Sequence, residues 1–511
     1  MFPLRWCQLT HKVDLAIVGA GFGGSLMAMV AHKLGLSVVL LEQGSHPRMA
    51  IGESTTPLSN LLLERLSTNY DLPRLAPLAK WGSWQRAYPQ ISCGLKRGFT
   101  FFHQHGGPLL VAASPHDAIA DTHWYRADVD HFLVQEAQSL GVDYLDRARI
   151  ETQDFAEDGV TLAGVARDEA FRLHAGFLID ATGPRGFLHR ALRLDESVLP
   201  GMPATESLYC HFTGVGRTET VGDITPFPVD DAAVHHVFEG GWVWVLRFNN
   251  GITSAGVVAT RAVAEELTLS EGEPSWQRLL ERLPALQSQF ENAVACQPFR
   301  YMPRVSFRSS AVVGQRWAML PSAAGFVDPL LSTGFALTLM GIERLAVILQ
   351  QEIGSADCRL KDYAEQTESD LLAASRLIGA LYANMDNFDA FTAVSLLYFA
   401  AVSFSETAYR LGNPELVRGF LLHQHPEFGP ASRALLERAF ALDGAVGLAG
   451  DVLRLIEPFN LGGFGEAERH NWYDVRAQDL LDAAPKLGVS QGEIVAMLDK
   501  SGFFASTAPS R

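Results

Sequence analysis

The sequence predicts an α/β protein in three parts: a mostly parallel sheet flanked by helices, an antiparallel β lobe inserted into it, and a helical C-terminal region. Three observations carry that reading. Residues 13–42 run as apolar strand, glycine-rich turn, helix and second apolar strand. Residues from about 205 to 310 alternate aromatic and polar side chains, and the chain beyond about 350 has helical spacing rich in aromatics. Strands alternating with helices imply a parallel sheet, whereas period-two alternation implies a half-buried antiparallel one.

Each element follows from its residues. VDLAIV (13–18) is β-branched and apolar throughout, as a strand buried on both faces should be. After the turn GAGFGG (19–24), Leu26, Met27, Val30 and Leu34 fall at helical spacing and Gly35 closes the helix. SVVLLE then forms a second strand ending at Glu42. RLHAGFLIDATG (172–183) reads as a further buried strand with a glycine turn, and HHVFEGGWVWVLRFNNG (235–251) is the centre of the antiparallel lobe, with NNG as a turn. Residues 317–349 return to strand, loop and apolar helix. The division expected is 1–204 for the first part of the dinucleotide-binding domain, 205–310 for the β lobe, 311–350 for the return and 351–511 for the helical region. ASTAPSR (505–511) reads as a frayed tail.

Composition excludes several functions. The 511 residues carry a net charge of −16, which argues against binding nucleic acid or an anionic membrane surface, because both need clustered Lys and Arg. Five scattered cysteines (Cys7, Cys93, Cys210, Cys296, Cys358) form no CxxC pair and fit reduced thiols in a reducing compartment. No zinc-type spacing occurs, and His235-His236, on opposite faces of a strand, cannot chelate together, so no metal site is expected. His103 and His105 have pocket, surface and core as open readings. The N-terminus MFPLRWCQLTHK has no apolar signal region, which makes the cytoplasm the default location. The most apolar stretch, near 393–404 and broken by Ser395 and Ser403, is too short for a transmembrane segment and reads as a buried helix.

Gly19, Gly21 and Gly24 fit GxGxxG, and Glu42 lies 23 residues past the first of them. Gly19 permits the tight turn, Gly21 lets the backbone approach a pyrophosphate, and Gly24 lets helix and strand pack closely. The helix N-terminus supplies N–H groups to the phosphates, and Glu42 can accept hydrogen bonds from a ribose diol. This is a Rossmann-like dinucleotide site; the motif by itself does not choose between FAD and NAD.

Seven segments together resemble the flavin-dependent halogenases, within the wider p-hydroxybenzoate-hydroxylase-like flavoprotein class. They are GAGFGG (19–24), HPRMAIGESTTP (46–57), CGLKRGFTF (93–101), YRADVDHF (125–132), FLIDATG (177–183), EGGWVWVLRF (239–248) and GFVDPLLSTG (325–334). The likeness is greatest to members acting on free phenolic compounds rather than to the tryptophan halogenases, which implies the phenol- or pyrrole-type branch. It implies an FAD-binding fold in which Glu53 and Ser54 contact flavin, Arg126 neutralises phosphate and Asp328 serves the ribityl chain. Residue chemistry alone offers bland alternatives: Ser54 as a helix N-cap, Arg126 as a solvated helix start and Asp328 as a turn former.

The resemblance further implies that FADH2 from a separate flavin reductase, with O2, oxidises chloride or bromide to hypohalous acid. The halide would lie on the backbone N–H groups of Thr333 and Gly334. Lys96 would carry the halogen to an electron-rich aromatic substrate, free or bound to a carrier protein. A free Lys titrates at roughly 10.4, so burial or neighbouring Arg97 must lower its pKa if it acts as an amine. From chemistry alone Lys96 is a solvated strand residue; the motif match is what assigns it to catalysis.

The chain departs from the family twice. The WxWxIP motif is here Trp242-Val243-Trp244-Val245-Leu246-Arg247. Leu for Ile conserves volume; Arg for Pro adds a charge and restores a backbone donor, a change that bears on halogenation and not on flavin binding. Leu331 stands where tryptophan halogenases carry Glu, which argues against tryptophan as substrate. IDATG (179–183), where hydroxylases of the class show GADG, favours the halogenase over an aromatic hydroxylase, the second reading; a flavin-binding scaffold without catalysis is the third. Tyr382, Phe388 and Phe391 are aromatics of the C-terminal helices with core packing as the favoured role and substrate cover as the alternative.

Overall fold

The computed structural model describes residues 11–104, 106–218, 226–351, 357–441 and 445–505. Cys7, most of the N-terminal segment, His105 and the tail after Ala505 lie outside the described residues. In chain order the elements that position the site are β1 (His11–Val18), α1 (Phe22–Lys33), β2 (Val38–Leu41), β3 (Cys93–Lys96), β4 (Gly98–His103), β5 (Gly106–Ala112), β6 (Asp121–Trp124) and α2 (Arg126–Leu140). They continue with β7 (Glu169–Asp180), β8 (Thr205–Thr213), β9 (Ala233–Phe238), β10 (Gly241–Arg247), β11 (Thr253–Thr260), β12 (Trp317–Met319), α3 (Thr333–Leu349), α4 (Asp357–Tyr382) and α5 (Phe388–Arg410).

The first sheet is parallel at its centre, in the order β12, β7, β1, β2 and the strand Asp143–Leu145. Leu15 registers with Phe177 on one side and Val38 on the other. Leu15, Ala16 and Ile17 are fully buried, which is why this strand reads as an unbroken apolar run. The first half of β7 pairs antiparallel with Gly159–Ala166, and its last residues pair parallel with β12.

The second sheet runs Val294–Ala295, β8, β11, β10, β9, β4, β5 and Trp472–Tyr473. Its core is the antiparallel set expected, with β9 and β10 joined at Glu239-Gly240, and β10 and β11 joined through the Asn249-Asn250-Gly251 turn. The sheet also recruits strands from far outside 205–310. β9 pairs parallel with β4, and Trp472 pairs with Leu110 of β5. Local alternation reports a strand's two faces and says nothing of which distant strand lies at its edge.

The apolar stretch at 393–404 belongs to the 23-residue helix α5, longer than expected. Ser395 does not interrupt it, because its hydroxyl donates to the Phe391 carbonyl one turn earlier (2.8 Å). Among the described residues two helices, Leu330–Leu349 and α5, are long and apolar enough to cross a membrane, and both are mostly buried inside the protein. α5 is thus a buried helix, as expected, and its burial rather than its length is the reason.

Candidate active site

A cavity of about 1060 Å³ extends from the glycine turn to the face of the second sheet, lined at one end by Gly19, Gly21 and Glu42 and at the other by Trp242 and Trp244. The three glycines differ in what confines them. A Cβ on Gly19, whose φ is +100°, would lie 2.7 Å from the Ala181 backbone, and one on Gly24 would lie 1.8 Å from the Gly19 carbonyl oxygen. Both are steric requirements of the turn. A Cβ on Gly21 would meet nothing closer than the Arg126 guanidinium at 3.5 Å. Only Gly21 is therefore open, on the side where it faces the cavity.

Glu42 closes the turn. One carboxylate oxygen accepts from the Ala20 N–H (3.0 Å) and the other from the Gly44 N–H (2.8 Å). Burial pushes its pKa up, but Arg48, 3.3 Å away, and the two N–H groups outweigh that and leave it below the ordinary value. Arg48 lines the cavity beside Gly21, and its buried Nε has no protein partner.

The resemblance-derived residues converge on the same cavity. Arg126 is buried rather than solvated: Asp130 holds it by two bonds (2.8 and 2.9 Å), and it donates to the carbonyls of Ile51 and Gly52 (both 2.9 Å). It thereby fastens the loop that presents Glu53 and Ser54. Glu53 pairs with the His211 imidazole at 2.8 Å. Ser54 is not an N-cap; Thr56 caps the next helix in a box with Ser59. The Ser54 hydroxyl is buried without a protein partner and lines the cavity.

The far wall is β10. Trp242, Trp244 and Leu246 line the cavity, and Arg247 faces the other way, donating to the carbonyls of Val215 and Gly216 near Asp230. Strand alternation explains this: residues at even steps share one face. Asp328 is buried beside this wall, accepting from the Leu330 N–H and from the Tyr382 hydroxyl (both 2.9 Å), and Trp242 Nε1 donates to that same hydroxyl (3.1 Å). Burial pushes Asp328 up to about 7 against those hydrogen bonds. Leu331 and Ser332 both have positive φ (65° and 55°). Such a backbone is costly for non-glycine residues. It turns the chain into α3, so that Thr333 and Gly334 line the cavity in its first turn. The first N–H groups of a helix have no intrahelical acceptor.

Lys96 ends β3, directly opposite Asp121 on β6. It is fully buried, the reverse of a solvated strand residue; Nζ donates to the Thr55 carbonyl at 2.5 Å and lies 3.9 Å from the centre of the Phe99 ring. Burial pulls its pKa well down, with Asp121 opposing. His235, facing the large cavity, and His123 are each pushed down to about 3 by burial and then by the Lys96 charge. On the other side, Phe99 and Asp121 line a second cavity of about 190 Å³ walled by Tyr398 and Phe399 of α5.

Comparison with known proteins assigns this arrangement. The profile of the tryptophan halogenase family matches residues 120–391, more than half of the chain, and that of NAD(P)-binding Rossmann-like domains matches residues 17–66. The chain belongs to the tryptophan halogenase family of flavin-dependent halogenases. Tetracycline 7-halogenase of Kitasatospora aureofaciens is 31% identical over 381 residues, covering 70% of this chain and 67% of that protein. Monodechloroaminopyrrolnitrin halogenase PrnC of Pseudomonas fluorescens is 30% identical over 382 residues, covering 71% and 66%. The chain thus spans about two thirds of the length of these curated relatives. The crystal structure of halogenase PltM in complex with phloroglucinol and FAD shares the fold, with a TM-score of 0.79 at 24% identity over 90% of this chain and 99% of that one.

This halogenase has a cavity suited to FAD. Ligand pockets run roughly 300–1000 Å³ for drug-sized molecules, and the large cavity stands at the top of that range. The buried, unpartnered Ser54 hydroxyl and Arg48 Nε are polar groups that a bound dinucleotide would satisfy. Arg48 was not identified from sequence; it lies in irregular chain just after the cis His46-Pro47 bond, and only folding brings it beside Gly21. Tyr382 was named from sequence as an aromatic of the C-terminal helices, but its bridge from Asp328 to Trp242 was not foreseen. Phe388 and Phe391 pack in the core, against His103 and Phe101 respectively, so core packing is their role.

Proposed function

We propose that this halogenase installs chloride or bromide on an electron-rich aromatic ring, phenol- or pyrrole-like, held in the second cavity beside Lys96. The observation that carries the proposal is the position of Lys96. It is buried among residues of both cavities: His235, on which its charge acts, lines the FAD cavity, and Phe99, under its Nζ, and Asp121, opposite it in the strand pair, line the smaller one. Relatives bear on the substrate class: one is a tetracycline halogenase, and another is the 1H-pyrrole-2-carbonyl-[peptidyl-carrier protein] chlorinase of Pseudomonas fluorescens, 25% identical. Both a free aromatic and a carrier-bound one fall within the proposal.

Reduced FAD, when bound, supplies with O2 the oxidising power that turns halide into hypohalous acid. The protein's residues do the rest. Gly21, Arg48 and Arg126 lie at the phosphate end, with Glu42 placed for the ribose and Glu53, Ser54 and Asp328 for the flavin half. The backbone at Thr333 and Gly334, which lines the cavity in the first turn of α3, would hold the halide through N–H groups. Trp242 and Trp244 separate the flavin side from the aromatic substrate. Lys96 takes up the hypohalous acid through the ammonium protons that Thr55 leaves unused. A diffusible flavin reductase and a cytoplasmic setting complete the reading.

The test supplies FADH2 through a generic reductase with chloride or bromide, offers phenols and pyrroles, and reads halogen isotope patterns by mass spectrometry. Halogenated product is expected from the native protein, and at least a hundredfold less from Lys96→Ala. Hydroxylated products without halogenated ones would replace the proposal with the hydroxylase reading. Halide-dependent product persisting in Lys96→Ala would remove Lys96 from the mechanism.

A further inference from the structure

Two residues that line the second cavity carry buried hydrogen-bond acceptors that the protein leaves without donors. Asp121 is 95% buried by its 5% exposure, and one of its oxygens accepts from the Asn60 side-chain amide at 2.8 Å. Its other oxygen, Oδ2, is buried with no partner. The same bond sets the Asn60 amide, since a carboxylate cannot donate to it; the Asn60 carbonyl oxygen is then also buried and unpartnered. Both residues line the second cavity together with Phe99, Tyr398 and Phe399.

Buried polar atoms are nearly always satisfied, and an orphan costs about 1–3 kcal/mol. Lys96 favours the Asp121 charge but does not hydrogen-bond it; its Nζ donates to the Thr55 carbonyl. The pattern is an aromatic slot with two unpartnered acceptors on one wall, while Lys80 and Arg410, cations that line it elsewhere, are engaged with Glu64. Its volume of about 190 Å³ suits a single ring, since a cavity on the order of 150 Å³ holds benzene.

We propose that Asp121, positioned by Asn60, is the residue that selects the substrate: it accepts the O–H or N–H proton of the ring's own donor, and so orients a phenol or an N–H heteroaromatic against Lys96. This rests on the halogenase reading and gives its substrate class a chemical cause. At this wall a ring with a donor meets an acceptor, and an ether meets only lone pairs. Such sites discriminate strongly, because a ligand without the donor leaves a buried acceptor unpaired. The hydrogen bond also draws electron density from the O–H or N–H into the ring. The substitution keeps its balance: the ring carbon bonds to the halogen as the O–X bond breaks, hydroxide takes a proton to become water, and the ring loses its proton.

The experiment measures binding of phenol and anisole to the FAD-loaded full chain by ligand-observed NMR, without halide or reductant. The native protein is expected to bind phenol at least tenfold more tightly than anisole. Asp121→Asn should reduce that preference to under threefold, while Lys96→Ala should retain it. Equal affinities in the native protein would overturn the proposal whether or not the variant folds. So would an Asp121→Asn variant that weakens both ligands equally, because Asp121 would then act only through the packing around Lys96. Turnover of phenol under the halogenation assay is read separately. A phenol preference that depends on Asp121 without any halogenated product would defeat the proposed reaction at this cavity and leave only the binding role of Asp121.

Discussion

Replacing Gly21 or Gly24 by alanine should separate cofactor binding from folding, although the two glycines are three residues apart in one turn. At Gly24 a Cβ falls 1.8 Å from the Gly19 carbonyl oxygen, where ordinary contact begins near 3.4 Å. The backbone of the turn or the helix would have to move by the difference, about 1.6 Å. Ordinary overpacking costs about 1–3 kcal/mol, and here the obstacle is backbone that cannot rotate away, so Gly24→Ala should lose about 3 kcal/mol or more. At Gly21 the nearest atoms are guanidinium and carboxylate tips at 3.5–3.8 Å, and φ is −73°. The residue caps α1 without a side-chain bond, so the apo protein should lose at most about 1 kcal/mol. The added methyl occupies the space through which a pyrophosphate approaches α1. FAD affinity should fall 10- to 100-fold, about 1.4–2.8 kcal/mol. Thermal unfolding of the apo proteins and titration with FAD by flavin fluorescence check both halves. The reasoning fails if Gly21→Ala binds FAD with native affinity, or if it destabilises the apo protein as much as Gly24→Ala.

Two further outcomes are expected. Arg247→Ala should leave halogenation within about twofold of native, because the guanidinium faces Val215, Gly216 and Asp230 rather than the cavity. It should lower stability by about 1–3 kcal/mol through the lost carbonyl bonds, and a change in product profile instead would show that the Arg-for-Pro departure reaches the flavin. Asp328→Asn should change the pH dependence of apo stability. The folded carboxyl, raised to about 7, keeps a proton that the unfolded chain releases near pH 4, so its ionisation destabilises the fold progressively as pH rises between those values. Native stability relative to the variant should therefore fall by up to about 4 kcal/mol between pH 4 and pH 8, as read from urea unfolding at each pH; a constant difference would refute the buried titration.

Sequence by itself determined what depends on neighbours along the chain. The β1–α1–β2 unit was legible because its strand residues are buried on both faces and its helix keeps 3.6-residue spacing. The glycine turn was legible because its glycines fall at fixed spacing within six residues, although the Ala181 backbone that confines Gly19 comes from a distant strand. The family resemblance was legible because the site is assembled from short contiguous segments, so Lys96, Glu53, Ser54, Arg126, Thr333 and Gly334 could be named before any fold was known. What only tertiary structure decided depends on distant segments meeting. Arg247 could not be cleared of a role at the flavin until β10 was paired and its face assigned. Lys96 read as solvated by composition, and became fully buried only because β6, β4 and α5 close around it. The partnership of Asp121 with Asn60, the bridge from Asp328 through Tyr382 to Trp242, and the second cavity all join residues tens to more than a hundred positions apart. No periodicity records such pairs, because each residue satisfies its own local pattern equally well with or without the partner. Burial and hydrogen-bond satisfaction are properties of the closed fold, and they are what turned the glycine turn and a lysine motif into two adjoining cavities.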